Sequence, residues 1–484
     1  MLEEEGEKLI ASFYTLNMVK SRLTAIVTLQ VVLSGLPLTH EQNRPTTKNQ
    51  EWILLFNGKD LTGWQQLNGR ATYTVENGEI VGTTIANSPN SFLCTKQTVS
   101  DFILEFEIMV DPDINSGVQF RSLSEESYNN GRVRGYQFEI DPSPRAFSGG
   151  IYDEGRRGWM YPLSRNPKGQ KAFQNGRWNH CRLEAIGSSI KTWINGIQCA
   201  NLTDNMTSEG FIGLQVHSVP ERDVGKKVRW RNIRIKTENL EAERRESDPK
   251  VPELSYLINA LSNGEILRGW QLLWDGKTSK GWRGAKLDHF PESGWEINNG
   301  VLTIHGTEGK EAAGPGDIIT EDLFREFDLE MQFMITEGAN SGIKYFVDAE
   351  LNRGEGSAIG CEFQILDDKN HPDAKLGVKG NRTLGSLYDL ISAENLSVLG
   401  RSKQFKGIGT WNSARIVVNN GNVEHWLNNE KVVEYDRHSQ MFKALVAYSK
   451  YSKWSGFGQW PQGHILLQDH GNTVHFRSIK IKKY

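Results

Sequence analysis

The sequence predicts an all-β protein built as two β-sandwich domains in tandem. Three observations carry this: short runs that alternate apolar and polar residues, Asn-Gly-type pairs between them, and a set of motifs that occurs twice in the same order. Phe102-Ile-Leu-Glu-Phe-Glu-Ile-Met-Val and Phe327-Asp-Leu-Glu-Met-Gln-Phe-Met-Ile alternate in step, as a strand does when one face lies in a core. Asn77-Gly78, Asn195-Gly196, Asn299-Gly300 and Asn428-Asn429 separate such runs, and these residues tolerate the positive φ of two-residue hairpin turns. Arg182-Leu-Glu-Ala-Ile, Ile190-Lys-Thr-Trp-Ile and Ile197-Gln-Cys-Ala-Asn read as a meander. Cys181 and Cys199 fall on its first and third strands, which are not neighbours, so they read as small core residues. Roughly a dozen short strands in each ~190-residue copy make a two-sheet sandwich.

The repeat is explicit. Trp52-Ile-Leu-Leu-Phe-Asn-Gly-Lys-Asp-Leu-Thr-Gly-Trp64 matches Trp270-Gln-Leu-Leu-Trp-Asp-Gly-Lys-Thr-Ser-Lys-Gly-Trp282. Val75-Glu-Asn-Gly matches Ile297-Asn-Asn-Gly, and Asn115-Ser-Gly matches Asn340-Ser-Gly. Tyr152-Asp153 matches Tyr388-Asp389, Trp178-Asn179 matches Trp411-Asn412, Leu214-Gln-Val-His217 matches Leu467-Gln-Asp-His470, and Arg231-Asn-Ile-Arg matches Arg477-Ser-Ile-Lys. The offset grows from 218 residues at Trp52/Trp270 to 253 at His217/His470. Loops of unequal length explain the drift, and a period above 200 residues is a whole domain rather than a solenoid unit. The expected boundaries are 51–236 and 265–484. Glu238–Lys250 is almost all charged or polar, which predicts a linker, or a short solvated helix, within 237–264.

Composition narrows the class. Of 484 residues, 37% are apolar and 48 are Gly, enough to bury a core,. A net charge of −3 gives no basic field for nucleic acid,. Four Cys with no C-x-x-C pair exclude a disulfide scaffold and a zinc knuckle,. The aromatic content, 14 Trp, 13 Tyr and 20 Phe, suits a protein that offers flat rings to a sugar. The first fifty residues differ from the rest. Lys20 and Arg22 precede an apolar run from Leu23 to Leu36, broken by Thr24, Thr28, Gln30 and Ser34. That pattern predicts a secretory signal at 18–36 with Met18 as its start, residues 1–17 lying ahead of it and 37–50 forming a mature tail. It implies a secreted or periplasmic protein without a stable membrane span; a buried helix is the alternative.

The motifs together resemble the 3-keto-disaccharide hydrolase domain family. The resemblance rests on Leu54-Leu-Phe-Asn-Gly-Lys-Asp-Leu-Thr-Gly-Trp64, Asn340-Ser-Gly342, Gly360-Cys-Glu-Phe-Gln-Ile-Leu-Asp367, Gly385-Ser-Leu-Tyr-Asp389 and Gly463-His-Ile-Leu-Leu-Gln-Asp-His-Gly471. It covers about 52–236 and 265–484. It implies that each copy is a concanavalin A-like jelly roll and that the chain acts on 3-keto-glycosides. The second copy is nearer the family pattern at its end. The first looks like a sister type, with Gly149-Gly-Ile-Tyr-Asp-Glu-Gly-Arg-Arg-Gly-Trp159. The family often has Arg where the second copy has Phe346 and the first has Arg121.

Strand geometry then selects candidate residues, because i and i+2 share a face. Glu362 pairs with Gln364 in this sense, Gln137 with Glu139, Gln468 with His470, and Gln215 with His217. The residues between them are largely apolar, so the polar set would line a concave sugar face; a solvated outer face is the alternative. An ordinary glycosidase needs two carboxylates flanking the bond. Glu105 and Glu107 fit by spacing, but their counterparts are Glu330 and Gln332. A carboxylate and an imidazole remain, and these suit a 3-keto sugar, whose C2 proton is acidic. The expected catalytic set is therefore Glu362 and His470 as acid and base, with Lys344 stabilising the enolate. A divalent metal held by Glu362 and His470 is a further option, although two ligands do not define a site. Expected sugar contacts are Gln364, Gln468, Tyr388, Asp389 and Asn340 in the second copy, and Gln119, Arg121, Gln137, Glu139, Tyr152, Asp153 and His217 in the first. Asn115-Ser-Gly and Asn340-Ser-Gly are expected to set a strand entry. Trp159 and Trp454 are candidates to stack on a ring; Trp64, Trp178, Trp282 and Trp411 are expected in the cores. His371 and His464 lie nearer the motifs than His305, His425 and His438. The rival functions are a lectin-like protein without chemistry, and a first copy that serves as a binding module for the second.

Overall fold

In the computed structural model the described residues are 52–307, 316–354 and 356–484. The expected leader, signal segment and tail, residues 1–50, lie outside them. No helix among the described residues is long and apolar enough to cross a membrane.

Both copies are jelly-roll sandwiches. In the first, a nine-stranded outer sheet runs in space as Leu254–Ser255, Ile197–Thr203, Ser189–Ile194, Asn179–Ile186, Phe102–Val110, Lys227–Lys236, Glu79–Thr83 and Thr72–Glu76, with Ile53–Leu54 also on Lys227–Lys236. Its seven-stranded inner sheet runs Gly158–Tyr161, Ile151–Glu154, Arg134–Ile140, Ser116–Leu123, Phe211–Val216, Ser91–Thr95 and Trp64–Leu67. In the second copy the eight-stranded outer sheet centres on Val474–Lys483, Phe327–Ile335 and Asn412–Asn419. The five-stranded inner sheet runs Trp282–Gly284, Ile318–Thr320, His464–Leu467, Asn340–Asp348 and Ile359–Leu366. Every expected hairpin Asn has positive φ, from 49° to 66°. The cores fill between the sheets: Phe106, Phe120, Phe138 and Trp230 in one, Phe327, Tyr345, Phe363 and Phe476 in the other, each at most 1% exposed. Cys181 and Cys199 are buried free thiols in the first core.

Within 237–264, residues 238–250 carry the short 3-10 helix Leu240–Glu243, none of whose residues is buried, and the packed part follows from Val251. Leu254–Ser255 adds a parallel strand to Ile197–Thr203. Asn259 then reaches the second sandwich, where its side chain accepts from the Ser478 amide at 2.7 Å and donates to the Gly300 carbonyl at 2.8 Å. Ser262 caps the short helix Asn263–Leu267 in a reciprocal box with Glu265,.

Glu105, which fits a carboxylate pair with Glu107 by spacing alone, is structural, and so is its counterpart Glu330. Glu105 sits in register between Arg182 and Arg234 on neighbouring strands and takes both, at 2.7 Å and 2.5 Å. Glu330 repeats the pattern between Arg415 and Lys480, at 3.3 Å and 3.1 Å. Arg165 of the first domain adds a third cation at 3.4 Å. With Ser164 donating to the Asn429 carbonyl and Asn429 donating to the Tyr256 hydroxyl, this docks the first domain on the outer face of the second domain's eight-stranded sheet. Burial opposes ionisation of Glu330, but Lys480, Arg165 and Arg415 together hold its carboxyl down at about 2. A depressed carboxylate contributes stability that is complete above its unfolded range near 4.5 and is lost as pH falls towards 2. Glu330→Gln is therefore expected to lower stability by about 3 kcal/mol at pH 7, and to flatten the loss of stability between pH 5 and 2, both read by denaturant unfolding of the full chain.

Candidate active site in the second sandwich

The strand Ile359–Leu366 places Cys361, Phe363 and Ile365 in the core, so Glu362 and Gln364 point to the concave face. Lys344 stands opposite Glu362 in register, and Gly342 opposite Gln364. The strand His464–Leu467 runs on the other side of Asn340–Asp348, and its extension places Gln468, whose amide donates to the Gly342 carbonyl at 3.0 Å, and then His470. One cavity of about 250 Å3 results, lined by Glu362, Gln364, Lys344, Asn340, Gln468, His470 and Tyr388 among others. All three expected catalytic residues therefore face one space, together with four of the five expected second-copy contacts.

The chemistry of the set follows from burial. The Lys344 ammonium lies 3.8 Å from the Glu362 carboxylate. It donates to the Ser357 hydroxyl and to the Ala358 carbonyl. Ser357 in turn donates to Asp317, whose other oxygen accepts the Asp469 amide at 2.9 Å, so Lys344 and the His470 turn share one anchor. Burial raises the Glu362 carboxyl above the usual carboxylate range, and the charges of Lys344, Lys450 and His470 only partly offset it. Burial likewise lowers Lys450, against the pull of Glu362. Tyr388 donates to Asp373 at 2.9 Å, which fixes its ring, and burial pushes its phenol up. The Lys450 ammonium sits 4.3 Å above that ring. His371 stands edge-on to His470, ring centres 6.1 Å apart. Among the described residues no cluster of three or more His, Cys, Asp or Glu is placed to hold a metal ion.

The Asn-Ser-Gly motif does not set a strand entry; it lies inside the strand. A Cβ on Gly342 would come within 2.2 Å of Glu362 Oε1, and one on Gly117 within 2.5 Å of Gln137. The glycine makes room for the diagonal side chain on the neighbouring strand, two residues from its register partner. The serine ties the neighbouring strand, Ser341 donating to the Gln468 carbonyl at 2.9 Å and Ser116 to the Gln215 carbonyl at 2.7 Å.

Other expected contacts fall elsewhere. Arg121 is not on the concave face. A bulge after Phe120 breaks the alternation, Arg121 takes a φ of 44°, and its guanidinium is held by the Ser100 and Gly187 carbonyls and by Asp101. Phe346 occupies the same bulge in the second copy with φ 52° and lies in the core. Asp389 does not line the cavity. It pairs with Arg382 at 2.7 Å, and the same arginine holds Asp373. Asp153 is buried between Arg156 and Arg157. His217 sits at the strand end against the Ser218 carbonyl; Tyr152, by contrast, stands opposite Gln137 in register on the same face, its ring edge-on to Trp159, which packs in turn on Phe147. His464 begins its strand opposite Val347, outside the cavity lining. Trp64 and Trp282 are core residues, whereas Trp178 and Trp411 are half-buried beneath Arg231 and Arg477.

In the first copy the same positions carry other chemistry. Gln119 replaces Lys344 and Gln137 replaces Glu362, while the carboxylate moves two residues along to Glu139. Gln119 donates to Gln137 at 2.5 Å, Gln137 to Glu139 at 2.7 Å, and Asn115 to Glu139 at 2.7 Å. The second site also contains residues with no counterpart in the repeat. Lys450, Tyr451, Lys453 and Trp454 line the cavity from a segment that includes the helix Gln440–Ala447. That segment fills the 27 residues between the strands ending at Asp436 and starting at His464, where the first copy has seven. Trp454 alone among these was a candidate, through its Gly-rich surroundings.

Fold and cavity together define a tandem jelly-roll protein with a polar, charged cleft in its second sandwich. The chain belongs to the 3-keto-alpha-glucoside-1,2-lyase-like domain family, which matches it at residues 51–236 and again at 269–482. A 3-keto-disaccharide hydrolase of Bacteroides thetaiotaomicron is 38% identical over 234 residues, covering 44% of this chain and 78% of that protein. Two solved structures from Parabacteroides distasonis, named there as glycosyl hydrolases by assignment, are similar at 28% and 26% identity. They cover 47% and 44% of this chain and 99% of their own, with TM-scores of 0.41 and 0.32.

Burial dominates Glu139 and carries its carboxyl up to about 7. A raised carboxylate costs nothing while both states are protonated, and its cost grows as pH rises from about 4.5 through about 7. The first thermal transition of the full chain is thus expected to fall over that window, and Glu139→Gln to flatten this dependence, measured by calorimetry at pH 5 and 8.

Proposed function

We propose that this chain is an enzyme that cleaves 3-keto-glycosides at the second-domain cavity. The observation that supports it is the convergence of a buried carboxylate, an imidazole and two ammonium groups on one sugar-sized space. Glu362 takes the C2 proton. Its base strength benefits from the burial that lifts it above an ordinary carboxylate. The C2–H electron pair becomes the enolate, whose oxygen at C3 meets Lys344 and Lys450. The enolate then collapses: the C3 carbonyl re-forms, a C1–C2 double bond forms, and the C1–O bond breaks. His470 gives its proton to the leaving oxygen. The products are a 1,2-unsaturated 3-keto sugar and the free aglycone, and addition of water across the double bond completes a net hydrolysis. Asn340, Gln364 and Gln468 supply neutral donors and acceptors to sugar hydroxyls, and Trp454 offers a ring face to the sugar. The signal-like segment at 18–36 supports a secreted or periplasmic enzyme.

The test pairs a 3-keto-disaccharide with the same disaccharide unoxidised. Sugar release from the oxidised substrate alone is expected, with deuterium entering C2 in D2O. Glu362→Gln and His470→Ala are expected to lose about 10²–10⁴ in kcat with the far-UV spectrum unchanged. Full turnover in both variants removes the mechanism, and binding of both sugars without cleavage makes the protein a lectin.

Gly342→Ala tests the geometry without changing the chemistry of any reacting group. Its methyl occupies the place of the Glu362 carboxylate. The expected result is a folded protein with kcat lowered about tenfold or more, and wild-type kcat would show that Glu362 need not sit there.

A further inference from the structure

The domain interface holds a second cavity, of about 390 Å3, on the outer side of the second domain's eight-stranded sheet. That is within the roughly 300–1,000 Å3 of small-molecule sites. Its lining combines Arg157, Lys406 and Arg477 with apolar side chains such as Met160 and Met206.

The two copies of the fold reveal how its charge arises. In the first copy Arg231 lies 4.0 Å above the Trp178 ring and pairs with Glu107 at 2.8 Å. In the second copy Arg477 lies 4.0 Å above Trp411 in the same way, but the strand position of Glu107 holds Gln332, which accepts from Arg477 Nε at 2.7 Å. The arginine keeps its stacking and one hydrogen bond and loses its counter-charge. Lys406 adds a second cation, with its ammonium against the Trp159 carbonyl at 3.5 Å. Among the described residues no carboxylate lies within salt-bridge distance of either. Arg157 is different, since Asp153 takes it at 2.6 Å and Asp204, which also lines the cavity, at 2.8 Å. Those carboxylates are thereby spent. Burial, followed by the charge of Arg157, lowers Lys406 to about 8 and Arg477 to about 10. Both cations are held at a cost that a bound anion would relieve.

We propose that this interdomain cavity binds a small sugar anion, its oxyanion between Lys406 and Arg477 and its C–H face against Met160 and Met206. The shared chemistry is an oxyanion on a monosaccharide-sized body. A carboxylate and a phosphate both provide it, so the probes are glucuronate and glucose 6-phosphate, with glucose as the neutral control. Titration calorimetry on the full chain is expected to give saturable binding of one or both anions, about tenfold or more tighter than glucose.

Gln332→Glu restores the ion pair that the first copy already folds with, so it is expected to weaken anion binding about tenfold or more in protein whose far-UV spectrum shows it folded. Lys406→Gln is expected to weaken it likewise. Glu362→Gln should leave it unchanged, which separates this site from the concave cavity. Anions that bind no better than glucose overturn the proposal. So does binding that survives both Gln332→Glu and Lys406→Gln, or binding that is lost in Glu362→Gln.

Discussion

A strand with one face in a close-packed core has no choice about its other face. That constraint organises the second domain. Cys361, Phe363 and Ile365 are each at most 2% exposed, and so Glu362 and Gln364 must stand together on the concave side. Register then does the rest. Antiparallel pairing sets Lys344 directly opposite Glu362, and the next strand carries its own i, i+2 pair, Gln468 and His470, into the same space. A one-residue slip of any of these strands would send the polar groups into the hydrophobic interior. The core therefore specifies the site as strictly as it specifies the fold.

The scaffold tolerates changes of chemistry at those fixed positions, as the first copy demonstrates. It keeps the glycine that clears space, the serine that ties the neighbouring strand and the bulge beyond. It exchanges lysine and glutamate for two glutamines and places a carboxylate two residues away. Gln119, Gln137, Glu139 and Asn115 then satisfy one another in a hydrogen-bonded chain. In the second copy the polar groups instead line an open cavity, to which a 27-residue segment with no equivalent in the first copy adds Lys450 and Trp454. The same sheet thus serves as a self-satisfied network in one domain and as a charged cleft in the other.

Much of this was legible from residue order. Alternation, hairpin asparagines and the internal repeat are local signals, and they led to both sandwiches and to the Glu362, His470 and Lys344 set. What they missed has specific causes. Arg121 was assigned to the concave face by counting in twos, and a β-bulge resets that count. Asn-Ser-Gly reads locally as a turn; its meaning depends on the side chain across the sheet, which sequence order does not reveal. Lys450, Tyr451 and Lys453 come from an insertion, so comparing the two copies could not find them. Asp389 and Asp153 recur in both copies because each neutralises an arginine, at Arg382 and at Arg156 and Arg157. Recurrence alone does not separate a structural ion pair from a sugar contact.

The packing between domains gives the divergence a direction. Glu105 and Glu330 occupy the same place in their outer sheets and each hold a cation from the strand on either side, yet only Glu330 also receives an arginine from the other domain. The neighbouring position follows the same logic. Glu107 remains a half-buried partner for Arg231, whereas its counterpart Gln332 lines the cavity under the first domain. Replacing a carboxylate by an amide there avoids burying one more anion beside Glu330 and Asp328. The consequence is an arginine without its counter-charge at the edge of a cavity. The interface that ties the first domain to the back of the second sandwich thereby leaves the concave face open and places Arg477 and Lys406 between the two domains.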